Sequence, residues 1–427
     1  MSFETISVVG LGYIGLPTAA MFASRKKKVI GVDVNQNAVD TINRGEIHIV
    51  EPDLDMIVHA AVTEGYLKAV TTPEAADAFL IAVPTPFLPC NEGDVPEPDL
   101  SYIKLACEGI APVLKKGDLV ILESTSPVGA TEQVAAWLAE ARSDLTFPQV
   151  AGEKADVNVA HCPERVLPGH VVRELVENDR VIGGMSSRCS ERSVDLYKTF
   201  VLGDCVITNA RTAEMAKLTE NSCRDVQIAF ANELSIICDK LNINVWELIS
   251  LANRHPRINI LQPGPGVGGH CIAVDPWFIV SKTPEQAQLI NTARKVNDEK
   301  PQWVINKVKI AVAEFLQAYP SKTAADVRIT CFGLTFKPDI DDLRESPSLN
   351  IAHEIAKNHP SLVNFVEPNI NSLPDLYSEN AQLICCEAAL RQTDIAVLLV
   401  DHSEFKKIKS IPSEITLIDT KGLWRTD

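Results

Sequence analysis

The sequence predicts an α/β protein in which two doubly wound, parallel-sheet domains are joined by a central all-helical region that serves as a dimer layer. Short apolar strands alternate with helical patterns in the first half of the chain, and this alternation returns from Val327 onward after a helical middle. The 427 residues are enough for two or three separate cores. We therefore predict domains at residues 1–205, 206–320 and 321–427.

Composition limits the classes of partner and compartment. Apolar residues make up 46 % of the chain and charged residues 22 %, as in ordinary globular proteins, and the net charge of −16 argues against nucleic acid as a partner. The 11 cysteines form no CxxC pair or even framework, which fits a reducing cytoplasm. We expect no signal peptide and no membrane insertion, since no apolar run reaches membrane-spanning length. The nine histidines show no ligand spacing with cysteine, so we expect no metal.

The first strand leads into a glycine motif. The apolar run from Thr5 to Val9 is followed by Gly10, Leu11, Gly12, Tyr13, Ile14 and Gly15, and then by a helical pattern. Strand, GxGxxG and helix form the dinucleotide-binding arrangement, in which the glycines admit the pyrophosphate to the helix N-terminus. A second strand, Val29–Val32, ends at Asp33, which would accept hydrogen bonds from ribose hydroxyls and repel a 2′-phosphate. The cofactor expected is NAD rather than NADP; a purely structural βαβ unit is the alternative.

Three further apolar strands are predicted at residues 78–83, 119–122 and 157–162. Ligands of open α/β sheets bind beyond the carboxyl ends of the strands, so residues there are candidates for the cofactor site. The threonines in such places are Thr85, Thr125 and Thr131, although each could equally be a turn or cap residue. Glu164 follows the third of these strands and is a candidate for acid–base chemistry.

A long helix is predicted at about residues 213–240, capped by Thr212. One face carries Lys217, Asn221 and Arg224, and the stripe continues with Phe230, Leu234 and Ile237. The apolar continuation suggests that this face is buried. A ligand-binding face and a solvated helix face are both open for Lys217, Asn221 and Arg224. Further helices are predicted at residues 245–252, 284–300 and, after Pro301, 301–318.

A glycine-rich loop, residues 264–270, ends at Cys271, four residues before Asp275. Such a loop lets backbone approach a ligand closely and fixes its last side chain. On this evidence alone, Cys271 is either a nucleophile or a small buried side chain. The second doubly wound domain has strands at 327–333, 363–366, 395–400 and 416–418 and lacks a second GxGxxG. It could therefore hold a nucleotide rather than a dinucleotide.

The order and spacing of these motifs, from residue 5 to about 424, resemble the UDP-glucose/GDP-mannose dehydrogenase family. The residues that carry the resemblance are Gly10 to Gly15, Thr125, Pro163-Glu164, Lys217 with Asn221, Cys271 with Asp275, and Lys337 with Arg344. The segments Cys-Ile-Ala-Val-Asp-Pro and Asn-Arg-His-Pro-Arg resemble the branch acting on N-acetylhexosamines. In UDP-glucose enzymes a second glutamate usually follows four residues after the one matching Glu164; Pro168 stands there, so that acid's role does not transfer.

The resemblance implies four-electron oxidation of carbon 6 of a UDP-sugar, with two NAD reduced in turn, by a homodimer that supplies a cell-surface polysaccharide such as the enterobacterial common antigen. The expected substrate is UDP-N-acetyl-D-mannosamine. The alternatives are UDP-N-acetylglucosamine or UDP-glucose as substrate, a two-electron β-hydroxyacid-type dehydrogenase, and a non-catalytic nucleotide-sugar sensor.

The resemblance also implies the roles of individual residues. Cys271 would form a thiohemiacetal and then a thioester, with Lys217 and Asn221 at the developing oxyanion. Asp275 would orient Lys217 or a water, and Glu164, with a water held by Thr125, would act as the base in hydrolysis. Arg344 would contact NAD. The candidates for the UDP-sugar are Arg165, Val166, Lys217, Asn221, Arg224, His255, Arg257, Gly268, Phe336, Lys337 and Lys421.

Overall fold

A computed structural model of the chain describes residues 3–91, 93–166, 169–269, 271–374 and 380–424. The chain packs as two compact units: the first comprises Met1–Glu220 with Trp277–Thr283, and the second comprises Asn221–Pro276 with Pro284–Asp427. The predicted division into three domains stays a prediction.

The first unit contains an eight-stranded sheet formed by its described residues. The strands are β1 (Thr5–Val9), β2 (Lys28–Val32), β3 (Leu67–Val70), β4 (Ala78–Ile81), β5 (Leu119–Leu122), β6 (Asn158–His161), β7 (Arg180–Gly184) and β8 (Cys205–Asn209). Their order is β3-β2-β1-β4-β5-β6-β7-β8, and all neighbours are parallel except β6 and β7. The order 3-2-1-4-5-6 is that of a doubly wound dinucleotide-binding sheet, so the predicted fold class is confirmed here.

Helices cover both faces of this sheet. They are α1 (Gly15–Ser24), α2 (Gln36–Asn43), α3 (Leu54–Thr63), α4 (Ser101–Ile110), α5 (Ala130–Ala141), α6 (Pro148–Ala151), α7 (Val171–Glu177) and α8 (Ser187–Tyr197). Alternate strand residues enter two different cores: Ile6 and Val8 pack on one face of the sheet, whereas Val9 packs on the other. Strands buried on both faces are continuously apolar, which is why the sequence revealed β1, β4 and β5.

The long helices of the chain's middle are followed by a second parallel sheet. The helices are α9 (Ala210–Leu241), α10 (Val245–Ala252), α11 (Asp275–Lys282) and α12 (Gln288–Ala318). The elements of the second sheet region are β9 (Ile329–Phe332), α13 (Pro347–Asn358), β10 (Val363–Val366), β11 (Ala381–Leu383), α14 (Cys386–Arg391), β12 (Ile395–Leu398) and β13 (Thr416–Asp419). The described strands pair in the order β11-β10-β9-β12-β13, all parallel. The second doubly wound sheet is thus confirmed.

The predicted cap of α9 is wrong. The helix begins at Ala210, directly after β8, and the Asn209 side-chain oxygen accepts the Thr212 N–H at 2.9 Å. Because strand passes into helix without a loop, the residue that ends β8 supplies the capping oxygen.

The two helices predicted around Pro301 are one. α12 runs through the proline, although a proline inside a helix removes a hydrogen bond and costs about 3 kcal/mol. Apolar residues on both sides of Pro301, such as Ala293 and Val304, are buried. Their packing offsets the lost bond and keeps the helix continuous.

The apolar stripe of α9 is only partly buried in the single chain. Phe230 is 50 % exposed and Ile237 46 % exposed, whereas Leu234 packs partly against a small apolar core. The expectation that the whole face is buried within one chain is therefore wrong. Leu241 and Leu251 are exposed as well.

Among the helices in the described residues, none combines the length and the apolar character needed to span a bilayer. The same residues contain no group of three or more His, Cys, Asp or Glu side chains placed to hold a metal ion.

Candidate active site

The three glycines of the first turn do different work. Gly10 has φ +93°, and a Cβ there would lie 2.6 Å from the Ala82 carbonyl oxygen. A Cβ on Gly15 would lie 1.7 Å from the Gly10 oxygen, so both positions require glycine to close the turn. At Gly12, by contrast, no described atom lies within 4 Å of such a Cβ. This open space at the start of α1 is where a pyrophosphate fits, against the helix N-terminus.

Asp33, at the end of β2, holds this turn. Its Oδ2 accepts the Leu11 N–H and its Oδ1 accepts the Asn35 N–H, both at 2.9 Å. A carboxylate offers about four lone-pair sites, so Asp33 can still accept from the two ribose hydroxyls of an adenosine. The residues present therefore fit NAD.

The three candidate threonines differ in their contacts. The Thr85 hydroxyl oxygen is buried and has no hydrogen-bond partner among the described residues, so it can bond to a ligand. Thr125 is half-buried. The Thr131 hydroxyl is fully buried and donates to Glu214 at 2.6 Å. Glu214 also accepts the N–H groups of Gly129 and Thr131 at the start of α5, which commits Thr131 to a helix terminus.

Glu164 lies in a buried polar cluster of the first unit. Its Oε2 accepts from Arg180 at 2.6 Å, and its Oε1 accepts the Arg165 N–H at 2.6 Å. A second carboxyl, Glu123, accepts from the Tyr197 hydroxyl at 2.8 Å. Burial raises the pKa of Glu123 to about 7, although Arg180 opposes this rise. Each Glu164 oxygen thus accepts one hydrogen bond, one of them from a buried guanidinium.

Two neighbours of Glu164 have other contacts than the sequence suggested. The Arg165 guanidinium forms a two-point ion pair with Glu220, at 2.7 and 3.1 Å. Val166 packs against the apolar core of the first unit.

The glycine-rich loop of the second unit is held in place at Gly264 and at Gly268. The Gly264 N–H donates to Asn232 of α9 at 2.9 Å. A Cβ on Gly268 would lie 2.5 Å from the Glu345 oxygen and 3.0 Å from the Cβ of Phe336. The loop therefore presses against the Phe336 segment, and no side chain fits at position 268.

Cys271 stands exposed where this loop turns into a helix. Its carbonyl oxygen accepts the N–H groups of Val274 and Asp275 at 3.1 and 2.9 Å. The thiol thus precedes the first turn of α11. Cys162, directly after β6, is in a different environment: burial raises its pKa to about 12.

The structure brings Asn221 and Asp275 together. The Asn221 amide donates to the Asp275 carboxylate at 2.5 Å, and Asp275 is only 3 % exposed. The expectation that Asp275 orients Lys217 or a water stays a prediction; within the second unit Asp275 accepts from Asn221. Lys217 is half-buried in the first unit, and Arg224 is exposed.

A buried polar network that the sequence reading missed lies beside the start of the glycine-rich loop. Arg294 of α12 pairs with Asp225 of α9 at 2.5 Å, and Asn297 donates to the same carboxylate at 2.8 Å. Asn297 also accepts from Asn232, which in turn holds Gly264. Polar residues three apart on a helix with apolar neighbours, such as Arg294, Asn297 and Lys300, were the available signal.

The turn after β9 in the second sheet has the same backbone geometry as the glycine turn after β1 in the first sheet. Gly333 has φ +87° and donates to the Val366 oxygen at 2.8 Å, as Gly10 donates to Val32 at 2.8 Å. Glu367 follows β10 as Asp33 follows β2, and it accepts the Leu334 N–H at 2.7 Å. An apolar strand followed by an acid could have identified Glu367 from sequence.

Several candidates lie on loops that follow the strands of the second sheet. Phe336 is half-buried and Lys337 is exposed. Lys421 pairs with Asp401 at 3.3 Å. Arg344 forms a two-point contact with Asp342 at 2.9 and 2.6 Å.

His255 and Arg257 lie after α10, and both are exposed. The His255 Nδ1 accepts the Arg257 N–H over a long 3.4 Å. Neither side chain packs into the helix end, which leaves both available to an external group.

A dinucleotide-binding sheet and a second nucleotide-type sheet in one chain are the architecture of an NAD-linked dehydrogenase. Sequence profiles of the UDP-glucose/GDP-mannose dehydrogenase family match the chain in three parts. They are the NAD binding domain at residues 4–201, the central domain at 211–299 and the UDP binding domain at 330–426. The chain belongs to this family and is an NAD-dependent oxidoreductase.

Relatives match over the whole chain. A UDP-N-acetyl-D-mannosamine dehydrogenase of Yersinia pestis is 67 % identical, covering 100 % of both chains. An NDP-N-acetyl-D-galactosaminuronic acid dehydrogenase of Ralstonia nicotianae is 62 % identical, covering 99 % of this chain and 97 % of the relative. The structure of a UDP-D-ManNAc dehydrogenase from Pyrococcus horikoshii is 36 % identical, with a TM-score of 0.85 and coverage of 99 % and 96 %. Family membership favours UDP-sugar oxidation over the β-hydroxyacid and sensor alternatives.

Proposed function

We propose that the enzyme oxidises carbon 6 of UDP-N-acetyl-D-mannosamine to the carboxylate, giving UDP-N-acetyl-D-mannosaminuronate and reducing two NAD per sugar. The observation that carries the four-electron chemistry is the exposed Cys271 at the end of a loop that packs on Phe336. The choice of sugar is supported by the full-length relative from Yersinia pestis. The product would serve cell-surface polysaccharide synthesis.

In the proposed mechanism, bound NAD supplies the hydride acceptor for each of the two oxidations. Loss of a hydride and a proton converts the alcohol to an aldehyde. The Cys271 thiolate then adds to the aldehyde carbon, forming a carbon–sulfur bond and an alkoxide that is protonated to a thiohemiacetal. Loss of the second hydride and a proton leaves a thioester. Water adds to its carbonyl carbon, the carbon–sulfur bond breaks, and the acid and thiol are regenerated.

Asn221 and Lys217 are assigned to the oxygen on carbon 6. One N–H of the Asn221 amide is bound to Asp275, and this hydrogen bond fixes the direction of the amide. Its second N–H can then donate to the developing oxyanion. Lys217 supplies positive charge or transfers a proton at the same oxygen. Asp275 is thus proposed to act through Asn221.

Glu164 is assigned to thioester hydrolysis, as the base that accepts a proton from water. Each Glu164 oxygen accepts one hydrogen bond, from Arg180 and from the Arg165 N–H. A carboxylate offers about four lone-pair sites, so Glu164 can still accept a proton from water.

The deciding experiment counts NADH formed per sugar with NAD and a panel of UDP-sugars. The panel contains UDP-N-acetylmannosamine, UDP-N-acetylglucosamine, UDP-N-acetylgalactosamine and UDP-glucose. We expect two NADH per UDP-N-acetylmannosamine and the highest kcat/KM for it. One NADH per sugar would support a two-electron dehydrogenase, and a higher kcat/KM for another sugar would reassign the substrate.

A second experiment tests the role of the Cys271 thiol with a variant. Cys271→Ser should lose most NADH production and retain UDP-sugar binding, since the serine hydroxyl is a much weaker nucleophile near neutral pH. Near-normal formation of the acid by this variant would contradict the thioester route. For a sensor, the variant would bind as well as the wild type, and neither would turn over.

We also propose that the enzyme is a cytoplasmic homodimer. The exposed apolar surface of α9 and α10, formed by Phe230, Ile237, Leu241 and Leu251, supports the dimer. In this dimer His255 and Arg257 contact the substrate of the partner subunit.

Mixing inactive Cys271→Ala and Arg257→Ala proteins under subunit exchange tests this arrangement. If Arg257 acts across the two-fold interface, each mixed dimer has one site with both defects and one intact site, and activity returns. Verified heterodimers without activity would contradict it.

A further inference from the structure

We propose that His402, with Glu367 and Asp339, is a clamp that positions the 334–339 loop, and that it thereby sets the affinity for the uridine nucleotide. The inference rests on the proposed function in one respect: the loop carries Phe336 and Lys337, the candidates for UDP-sugar contact. None of the three clamp residues is among the residues to which the sequence assigned a role.

The hydrogen bonds of His402 define its protonation. The ring is completely buried. Its Nδ1 receives two N–H donors, the Asp339 backbone at 3.0 Å and the Asn369 amide at 3.0 Å. Nδ1 must therefore carry the lone pair. The ring proton is on Nε2, which donates to Glu367 at 2.9 Å.

Glu367 holds the other end of the same loop. Its Oε2 accepts the N–H of Leu334 at 2.7 Å and that of Thr335 at 3.3 Å, besides the His402 ring. One imidazole–carboxylate pair thus binds backbone N–H groups at the beginning and at the end of the loop. The hydrogen bonds lower the pKa of Glu367 although burial acts to raise it, so the acceptor is the anion.

Asp339 fastens the loop from its own side. It has a left-handed backbone with φ +62°, a conformation that a non-glycine residue keeps only where its surroundings enforce it. Its carboxylate accepts the N–H and the hydroxyl of Ser403 at 2.8 and 2.6 Å. Asp339 and the His402–Ser403 pair therefore bind each other reciprocally.

The loop held in this way lies against the cysteine loop. A Cβ on Gly268 would meet the Phe336 Cβ at 3.0 Å, and one on Gly269 would meet its ring at 3.3 Å. A displacement of Phe336 would therefore remove the surface on which the Cys271 loop packs. His402 touches neither substrate nor cysteine and is a positioning residue.

Two substitutions separate the two ends of the clamp. In His402→Gln the side chain reaches the Nε2 position and keeps a donor for Glu367, but no acceptor remains for Asp339. In His402→Asn the side chain reaches only the Nδ1 position, so it keeps an acceptor for the Asp339 N–H and loses the donor to Glu367. The control is His359→Gln, because His359 is also buried in the second unit and, within the part of the chain that the structure describes, its ring bonds only to the Val327 oxygen, at 2.8 Å.

The measurements are UDP affinity by calorimetry on the full-length enzyme, and kcat and KM for the UDP-sugar and for NAD. For His402→Gln we expect UDP affinity to fall and the UDP-sugar KM to rise, each roughly tenfold, as for one lost buried hydrogen bond. The NAD KM should stay within about twofold, whereas kcat should fall, because the Cys271 loop packs on Phe336. The control should lower the melting temperature and leave UDP affinity unchanged.

The proposal is overturned if both His402 variants lower the melting temperature as the control does but bind UDP like the wild type. If His402→Gln does not fold, Ser403→Ala, which removes one bond to Asp339, decides the question by the same UDP measurement. Wild-type protein that binds UDP without oxidising any UDP-sugar would refute the proposed function, while the UDP affinities would still test the clamp.

Discussion

Replacing Lys300 by methionine should stabilise the protein near neutral pH. Lys300 is 2 % exposed, inside the core between α9 and α12. Its amine donates to the Ser235 hydroxyl at 2.5 Å and lies 3.9 Å from the centre of the Trp303 ring. Burial lowers the pKa of Lys300 from 10.5 to about 7, against the attraction of Asp239. Methionine fills a similar volume without a charge.

The size and the sign of the effect follow from proton linkage. Between about pH 7 and 10.5 the unfolded chain keeps a proton on Lys300 that the folded protein has lost, so stability rises with pH through this window. At about 1.4 kcal/mol for each tenfold change in proton affinity, the gap from 10.5 to about 7 corresponds to roughly 5 kcal/mol of lost stability well below pH 7, and to roughly 4 kcal/mol at pH 7, where half of the folded molecules have already lost the proton. A cation–π contact of about 1 kcal/mol offsets part of this. We therefore expect Lys300→Met to gain roughly 3 kcal/mol at pH 7.

The assay is denaturant unfolding followed by circular dichroism from pH 6.5 to 10. Lys307→Met is the matched control, since Lys307 lies on the same helix, 5.9 Å from the same Trp303 ring, and pairs with Asp239 at the surface. The control should change stability by less than about 1 kcal/mol. The reasoning is refuted if Lys300→Met destabilises the protein at pH 7, or if the rise of stability with pH survives in the variant.

Three further predictions concern the cofactor turn and the buried ion pair. Gly12→Ala should raise the NAD KM roughly tenfold at an unchanged melting temperature, because its Cβ enters open space; Gly15→Ala should lower the melting temperature too, and equal effects of both would contradict this account of the turn. Asp33→Ala should narrow the preference for NAD over NADP, since a charge-assisted hydrogen bond worth roughly 1.5–3 kcal/mol is lost; equal use of both cofactors by the wild type would rule out Asp33 as the selector. Asp225→Ala should lose about 3 kcal/mol in urea unfolding, because the buried Arg294 keeps only its ion pair with the half-exposed Asp298, and adding Arg294→Met should recover most of it; no recovery would mean that the ion pair is not the cause.

Local patterns predicted the sheets because buried parallel strands are apolar throughout. The run Leu119–Leu122 was located to the residue. β8 was not predicted: its apolar run, Cys205 to Ile207, is only three residues long, and as the edge strand it has exposed or half-buried side chains. The break predicted at Pro301 was wrong because helix propensity depends on neighbouring residues alone. The packing that keeps α12 continuous involves residues distant in sequence.

The parts of the candidate site that lie within one short sequence motif were predictable. The glycine turn with Asp33, and the spacing of Cys271 and Asp275, are such motifs. The partners of these residues were not predictable: Asn221 and Asp275 are 54 residues apart, and His402 and Glu367 are 35 apart. Only the folded chain shows that these side chains meet.

The repeated turn of the two sheets has a consequence for how the protein sorts its two nucleotides. Asp33 has one donor on each oxygen and can still accept from a ribose. Glu367, at the equivalent place, already receives five N–H donors: three on Oε2 and two on Oε1. A carboxylate with about four lone-pair sites has none left for a sugar hydroxyl. Asp33 can therefore accept hydrogen bonds from the adenosine ribose of NAD, whereas Glu367 cannot. Excess NAD thus finds no equivalent ribose-binding carboxylate at the second sheet, and it is not expected to compete there with the sugar nucleotide.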